Sequence, residues 1–314
     1  MAFAVTYTEV GPPSVLRLEE VPDPVPGPGQ LVVTLQAIGV NPIDAKLRGG
    51  IRPLPPSEEP YRVGSDGAGI VAATGEGVTG FSVGDRVAIG WGAGTYATAV
   101  LVDAAHAAVL PDEVTAEEGA GIGIPAGTAY QALKSLGVSE GDTLLVHGGS
   151  GAVGQAAIQF AVAWGAKVVA TGSPARHEQL RALGATPVAY GEGLVERVRE
   201  AAPAGVTVAL DAAGTDEAIE TSLALVADRE RIATIVRGAD AAGYGIRAFS
   251  GGSPLPLTEQ ESAWRVEALS ATVALIARGE FVIDLGPQFP LADAAKAHEL
   301  IETGKAGGKI VLIP

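Results

Sequence analysis

From Leu144 the chain reads Leu-Leu-Val-His-Gly-Gly-Ser-Gly-Ala-Val-Gly, continues as an apolar helical stretch, and returns as Lys-Val-Val-Ala-Thr-Gly ending at Gly172. Few patterns restrict a fold as much. Residues 143–146 are β-branched and apolar, 155–164 repeat at helical spacing, and 167–171 form a second strand candidate at the distance a βαβ crossover needs. Gly149, Gly151 and Gly154 fit G-x-G-x-x-G. In such a turn the first glycine permits a tight strand-to-helix reversal, the second admits a pyrophosphate to the backbone, and the third packs helix on strand. The free N–H groups and positive end of the helix then hold the phosphates. Among 43 glycines the spacing alone arises easily by chance, and a purely structural turn is the competing reading. The flanking strands and helix favour a dinucleotide site built from Gly149, Ser150, Gly151, Ala152, Val153 and Gly154.

The same stretch must be separated from a membrane span. Residues 143–166 carry no Asp, Glu, Lys or Arg and are long enough to cross a bilayer. A glycine cluster with His147 in its middle instead marks a buried strand, turn and helix. The first ten residues lack a basic segment and contain Glu9, so no secretory leader is expected and the cytoplasm is the expected location.

A chain of 314 residues can bury two domain cores. The absence of cysteine excludes disulfides, thiolate zinc sites and thiol catalysis together. The four histidines, His106, His147, His177 and His298, match no usual metal spacing, so no metal is expected. A net charge of −15 without a basic run opposes binding to nucleic-acid backbones.

Organisation changes along the chain. Short β-like runs at 5–8, 31–37, 69–73, 86–89 and 96–102 are separated by turn-rich stretches such as 22–29 and 53–56, the signature of a small antiparallel β domain. From about Thr128 strands (144–147, 167–171, 187–189, 206–211, 231–236) alternate with helices (155–164, 176–183, 194–202, 215–225). Alternation of this kind builds a doubly wound parallel sheet with helices on both faces, so the fold class is α/β. After the turn-rich segment 250–257 come a helix over 260–277, a second helix beyond Pro290 and an apolar strand at 309–313.

The end of the second strand bears on the type of nicotinamide. An acid about twenty residues beyond the glycines would accept ribose hydroxyls and repel a 2′-phosphate. Here the chain reads Thr171-Gly172-Ser173-Pro174-Ala175-Arg176, without an acid. Gly172 leaves room for a phosphate, Ser173 can donate to it and Arg176 can pair with it. The alternative is that Ser173 and Pro174 cap the next helix while Arg176 is solvated. The missing acid favours NADPH over NADH.

Several further motifs, in order, resemble those of the zinc-independent quinone oxidoreductases, the zeta-crystallin-like family of the medium-chain dehydrogenase/reductase superfamily. They are Asn41-Pro42-Ile43-Asp44, Gly64-Ser65-Asp66-Gly67-Ala68-Gly69, Val83-Gly84-Asp85-Arg86-Val87, Gly127-Thr128-Ala129-Tyr130, the glycine turn, and Ala297-His298-Glu299-Leu300-Ile301-Glu302 with Gly308-Lys309. Zinc-dependent relatives carry a ligand cysteine at the place resembling Asn41 and Gly-His-Glu at the place resembling Gly64-Ser65-Asp66; this chain has Asn and Ser there and lacks the four-cysteine lobe. The resemblance implies a GroES-like β-rich catalytic domain over 1–123 and 254–314 and a Rossmann NADP-binding domain over 124–253. It also implies an active site in the cleft between them, and a homodimer formed through a sheet edge near 244–249.

It further implies an NADPH-dependent reductase that passes hydride to a quinone or related conjugated carbonyl without zinc. Two alternatives remain open: reduction of the C=C bond of an enone or alkenal, and a crystallin-like NADPH-binding protein with incidental turnover. Without zinc, donors or cations must face the oxygen that gains charge. Asn41 is the candidate donor to that oxygen or to the nicotinamide ribose, with a turn cap before Pro42 as its alternative. Thr128 resembles the residue beside the nicotinamide, in a strand-to-helix approach, or else caps a helix around 129–136. Lys46 and Arg52 stand where many bacterial relatives have tyrosines; each could polarise a carbonyl, and each is also describable as a solvated loop cation. Asp44 is expected to hold a turn or ion pair. Tyr190 is placed near the adenosine, Ala213 and Gly214 in a loop under the cofactor, and Val236 and Gly238 in the nicotinamide wall. Arg237 is a possible second phosphate or substrate cation. Tyr61, Trp91, Phe249 and Trp264 are candidate ring walls, and His147 and His298 are expected to be packed structural residues.

Overall fold

A computed structural model describes residues 1–52, 54, 56–249 and 255–314. The turns expected at Pro53, Pro55 and Ser250 to Pro254 lie outside the described residues. The elements run β1 (Ala2–Tyr7), β2 (Arg17–Val21), β3 (Gln30–Gly39), α1 (Pro42–Arg48), β4 (Tyr61–Arg62), β5 (Asp66–Thr74), β6 (Arg86–Ile89), β7 (Ala99–Asp103), β8 (Ala107–Val109), α2 (Ala116–Ala120) and α3 (Gly123–Ser135). Next come β9 (Thr143–His147), α4 (Ala152–Ala163), β10 (Lys167–Thr171), α5 (His177–Ala182), β11 (Thr186–Val188), α6 (Leu194–Ala201), β12 (Val208–Asp211), α7 (Asp216–Leu225), β13 (Ile232–Thr234), α8 (Ala241–Tyr244) and β14 (Arg247–Ala248). The chain then closes with α9 (Glu259–Ala277), β15 (Leu285–Pro290), α10 (Ala294–Glu302) and β16 (Lys309–Ile313).

These elements form two compact units, Met1–Ile124 with Val266–Pro314, and Pro125–Arg265. The second crossing falls inside α9 rather than at 253/254. The first turns of that helix are tied to the second unit: Arg265 donates to Gln131 Oε1 at 3.1 Å and the Ser135 hydroxyl to Glu261 at 3.3 Å.

The first unit is built on β3. It pairs antiparallel with β5 along its length, while its other edge is shared, with β7 beside Gln30 to Thr34 and β16 beside Ile38 and Gly39. The sheet order is β15-β16-β3-β5-β6-β8, antiparallel except for the parallel pair β15 and β16; a second sheet runs β2-β1-β4. Leu31, Val33, Leu35 and Ile38 of β3 pack with Val71, Val87, Val100, Ile310 and Leu312 in one core. The C-terminal strand is therefore an interior strand of this unit.

The second unit holds a parallel six-stranded sheet in the order β11-β10-β9-β12-β13-β14. Order reverses between β9 and β12, the point outside whose carboxyl ends open α/β sheets bind ligands. All five residues of β9 are buried, as expected for a central strand covered by helices on both faces. Leu145, Val169, Ala209 and Ile232 fill the sheet side of a core completed by Leu194, Val198 and Ile219 from α6 and α7. Tyr130 of α3 meets Phe160 and Trp164 edge to face, with centroids 5.2 and 5.3 Å away, and those two rings stack on each other at 5.9 Å, so the cluster locks α3 onto α4.

Candidate functional site

At the reversal point β9 runs into the glycine turn. Gly148, with φ +75°, makes the left-handed step, so the tight reversal falls one residue before the G-x-G-x-x-G triplet and not on Gly149 as the motif implied. The turn is pinned to β10 by Gly148 N–H on Thr171 Oγ1 at 3.0 Å and Gly149 N–H on the Thr171 carbonyl at 2.9 Å. A Cβ on Gly154 would stand 2.3 Å from the Gly148 carbonyl oxygen, so the third glycine does pack helix against turn. Gly151 is exposed, and a Cβ there would meet nothing closer than that same carbonyl at 3.5 Å. Its backbone therefore faces open space.

The helix beyond is poised for an anion. Gly151 is the N-cap of α4 and supplies no side-chain acceptor, and no acid lies in the first turn, so the N–H groups of Ala152 and Val153 point out of the helix with its positive end exposed. Gln155 reaches back to the Ser150 carbonyl at 2.9 Å and accepts from Gln179 at 3.4 Å, and Gln179 in turn accepts from Arg176 Nη1 at 3.2 Å. These two glutamines, which sequence reasoning did not single out, connect the turn to the segment after β10.

That segment carries Gly172, Ser173 and Arg176. Ser173 precedes a short 3-10 turn, Pro174–Arg176, but its hydroxyl makes no capping hydrogen bond, so the alternative role proposed for it is not taken up. Arg176 is half-buried at the end of this turn. Tyr190, beyond β11, is 61% exposed and so is not a core residue.

Two further loops leave the sheet at β12 and β13. Asp211, fully buried, accepts the N–H groups of Ala213 and Gly214 on Oδ1 at 2.9 and 2.8 Å and the Thr234 hydroxyl on Oδ2 at 2.7 Å. Thr234 Oγ1 accepts the N–H groups of Val236 and Arg237 at 3.1 and 3.0 Å. Gly214 takes φ +73° against the Val236 side chain. Arg237, read as a possible second phosphate cation, pairs with Asp216 and, at 2.7 Å, with Asp240, and lies over the Tyr244 ring. His147 is buried beside Asp211 across the strand pair, and burial pushes its imidazole down to about 4, so it is neutral and no general acid at neutral pH.

In the first unit the motif residues converge on a buried polar cluster. Asn41 caps α1, with its N–H donating to Asp44 Oδ2 at 2.9 Å. Its side-chain amide is turned inward: Nδ2 donates to Asp66 Oδ2 at 2.8 Å and Oδ1 accepts from Lys309 Nζ at 2.5 Å. Both Asp66 oxygens lie 2.9 Å from the Ile124 N–H at the start of α3, and Lys309 Nζ is 3.5 Å from Asp66 Oδ2. Tyr96 bridges Asp44, at 3.3 Å, to His298 Nε2, at 3.1 Å. Burial is the dominant force on these groups, pushing Asp66 and Asp44 up, the latter to about 7, and Lys309 down, while Asp66 and Lys309 each oppose the shift of the other.

This arrangement corrects two expectations. The Asn41 amide is 1% exposed and engaged within the unit by Asp66 and by Lys309, an ammonium lying beside the place where zinc-dependent relatives carry a cysteine ligand. Thr128 lies neither in a strand-to-helix approach nor at a helix cap. It sits inside α3, which begins five residues earlier at Gly123, because Asp66 provides the acceptor at that helix's start. Lys46 is half-buried on α1 and Arg52 is exposed shortly after it, so these two share one segment of the first unit, while Thr128 belongs to the second. Lys309 and Asp66 were missed as partners of Asn41, and Tyr96 as a partner of Asp44; a lone lysine opening an apolar terminal strand was the available signal. Among the described residues no group of three or more His, Asp or Glu side chains is placed to hold a metal ion.

A doubly wound sheet with an uncapped glycine turn at its reversal point, joined in one chain to a largely antiparallel β unit, defines a dinucleotide-dependent dehydrogenase or reductase architecture. Comparison agrees. Residues 27–112 match the family model for the alcohol dehydrogenase GroES-like domain, and residues 183–312 the model described as zinc-binding dehydrogenase. Quinone oxidoreductase 1 of Escherichia coli strain K12 is 32% identical over 330 residues, covering all of both chains. Among solved structures, a mycobacterial protein complexed with NADPH aligns with a TM-score of 0.83 at 34% identity over the whole of both chains. The Escherichia coli quinone oxidoreductase complexed with NADPH has a TM-score of 0.83 at 29% identity, covering 99% of this chain and 100% of that one. The chain belongs to the zinc-independent quinone oxidoreductase family of the medium-chain dehydrogenases/reductases.

Proposed function

We propose that this protein is an NADPH-dependent reductase whose acceptor is a quinone. The observation that carries the reading is the pairing of an open, uncapped glycine turn with a second strand that is followed by Gly172-Ser173 rather than by an acid, and with Arg176 at the end of the next turn. A carboxylate there would repel a 2′-phosphate; a hydroxyl and a guanidinium attract it. The glycine residues 149, 151 and 154 with Ser150, Ala152 and Val153 would hold the pyrophosphate, Ser173 and Arg176 the 2′-phosphate, and Tyr190 would lie by the adenine. Ala213, Gly214, Val236 and Gly238 would border the nicotinamide half. Two relatives of the same fold that were solved with NADPH support the choice of cofactor.

Bound NADPH supplies a hydride, which with one proton converts a quinone to a hydroquinone. The remaining work belongs to the chain. Lys46 and Arg52 are the cations to stabilise the acceptor oxygen as it gains charge, and Thr128 borders the nicotinamide. Asn41 acts through Asp66 and Asp44, keeping α1 and its Lys46 in place, and so is a positioning residue. No helix among the described residues is long and apolar enough to cross a membrane. The outer strand β14 leaves one sheet edge unpaired among the described residues, and we infer a homodimer across it.

The test is steady-state oxidation of NADPH, with NADH alongside, against a benzoquinone, a larger ortho-quinone, an enone and an aldehyde. The expected result is quinone turnover with NADPH favoured at least tenfold in kcat/KM. Preference for the enone would transfer the assignment to double-bond reduction.

A further inference from the structure

We propose that Asp211 and Thr234 are positioning residues that set the nicotinamide half of the dinucleotide site, a role that rests on the cofactor reading above. The two side chains end neighbouring strands, β12 and β13, and between them hold the start of both loops that leave the sheet on the far side of its reversal point. A doubly wound sheet binds one mononucleotide with each half, so β12 to β14 serve the half that β9 to β11 do not.

The hydrogen-bond accounting is closed. A threonine hydroxyl offers one hydrogen and two lone pairs. Both lone pairs of Thr234 are taken, by the N–H groups of Val236 and Arg237, so its hydrogen has one destination, Asp211 Oδ2 at 2.7 Å. The other carboxylate oxygen takes the N–H groups of Ala213 and Gly214. One buried contact thus joins four backbone N–H groups from two loops. Asp211 and Thr234 are both fully buried, so neither can touch a ligand directly. Their effect is to fix where Ala213, Gly214 and Val236 stand.

The accounting also selects the variants. In Asp211→Asn the amide can keep its oxygen on the two N–H groups, but its NH2 then meets a hydroxyl whose lone pairs are already occupied, donor against donor. Thr234→Val keeps the shape and removes the hydroxyl. Thr234→Ser keeps the hydroxyl and loses only a methyl.

The experiment measures dissociation constants for NADPH and for 2′,5′-ADP, a fragment that reaches only the adenosine half, on the purified full-length chain and the three variants, with folding checked by circular dichroism. The expected result is that Thr234→Val and Asp211→Asn weaken NADPH at least fivefold, leave 2′,5′-ADP within twofold, and that Thr234→Ser restores NADPH binding. Equal weakening of both ligands, or NADPH affinity within twofold of the unaltered chain, would overturn the proposal. Failure of the unaltered chain to bind NADPH while it turns over another nicotinamide would instead sink the cofactor reading. If Thr234→Val does not fold, Asp211→Asn alone decides by the same ratio.

Discussion

Lys309 Nζ lies 2.5 Å from Asn41 Oδ1, binding the first residue of the C-terminal strand to the cap of a helix 268 positions earlier in the chain. The same ammonium lies 3.5 Å from Asp66, which is wholly buried and also accepts from Asn41 and Ile124. Coulomb attraction and desolvation oppose each other here, and removing one partner leaves the full cost of the other.

Lys309→Met should therefore destabilise the first unit by about 3 to 5 kcal/mol, and the double variant with Asp66→Asn should recover part of that loss. Urea unfolding followed by tryptophan fluorescence measures both. Additive losses in the double variant would mean that the pair does not interact.

Stability should vary with pH in two opposed ways. Burial raises the Asp44 carboxyl to about 7 from an ordinary 3.8, so the folded state binds its proton more tightly than the unfolded chain does. That contribution is complete below the ordinary value and is lost as pH rises through 7. Asp44→Asn, which imitates the protonated acid, should be more stable than the parent at pH 8 by about 2 to 4 kcal/mol, with the gap closing by pH 4. A gap independent of pH would argue that Asp44 is not the group responsible. His298 acts on the acid side. Burial, aided by Arg48, lowers its imidazole from 6.5 to about 4, so its contribution is complete above 6.5 and falls away as pH drops toward 4. Replacing it by Gln should flatten that limb.

Gly151 and Gly154 should respond differently to the same added methyl. In Gly154→Ala the new Cβ meets the Gly148 carbonyl oxygen at 2.3 Å, backbone that cannot turn aside, so melting temperature and NADPH affinity should fall together. In Gly151→Ala the nearest atom is 3.5 Å away, so stability should change by no more than about 0.5 kcal/mol. Its NADPH affinity should nevertheless drop, because the methyl occupies the approach to the turn. Calorimetry with and without NADPH separates the two cases; matching behaviour would contradict the division of labour in the turn.

Arg176→Ala should raise KM for NADPH about tenfold, in line with loss of a hydrogen bond to a charged group, and leave KM for NADH unchanged. A parallel rise for both cofactors would place Arg176 outside the 2′-phosphate site.

The parallel sheet was legible because its strands are buried on both faces and read as unbroken apolar runs: 167–171 was located to the residue, and α4 and β9 to within three. Other elements were hidden by their own residues. The strand Leu285–Pro290 contains Gly286, Pro287 and Pro290, which read as a turn. The helix Pro42–Arg48 was overlooked although Asn41, Pro42 and Asp44 are a cap, a first-turn proline and the return partner of a capping box. The polar cluster could not be read at all. Lys309 reaches Asn41 and Asp66 because β16 enters the sheet beside β3, while Tyr96 joins Asp44 to His298 of α10, and no local period encodes contacts across so much sequence. The link between Asp211 and Thr234 fails the same test: each residue alone looks like the end of an apolar strand.

The interior place of β16 also bears on how the protein is made. Residues 125–265 contain every strand of the parallel sheet, so a ribosome that has released them has released all that unit needs to fold. The other unit cannot close its sheet until residues 309–313 emerge, and until then Asn41 and Asp66 have no ammonium to receive. During synthesis the glycine turn should thus be ready before the unit that residues 1–124 begin, although those residues are translated first.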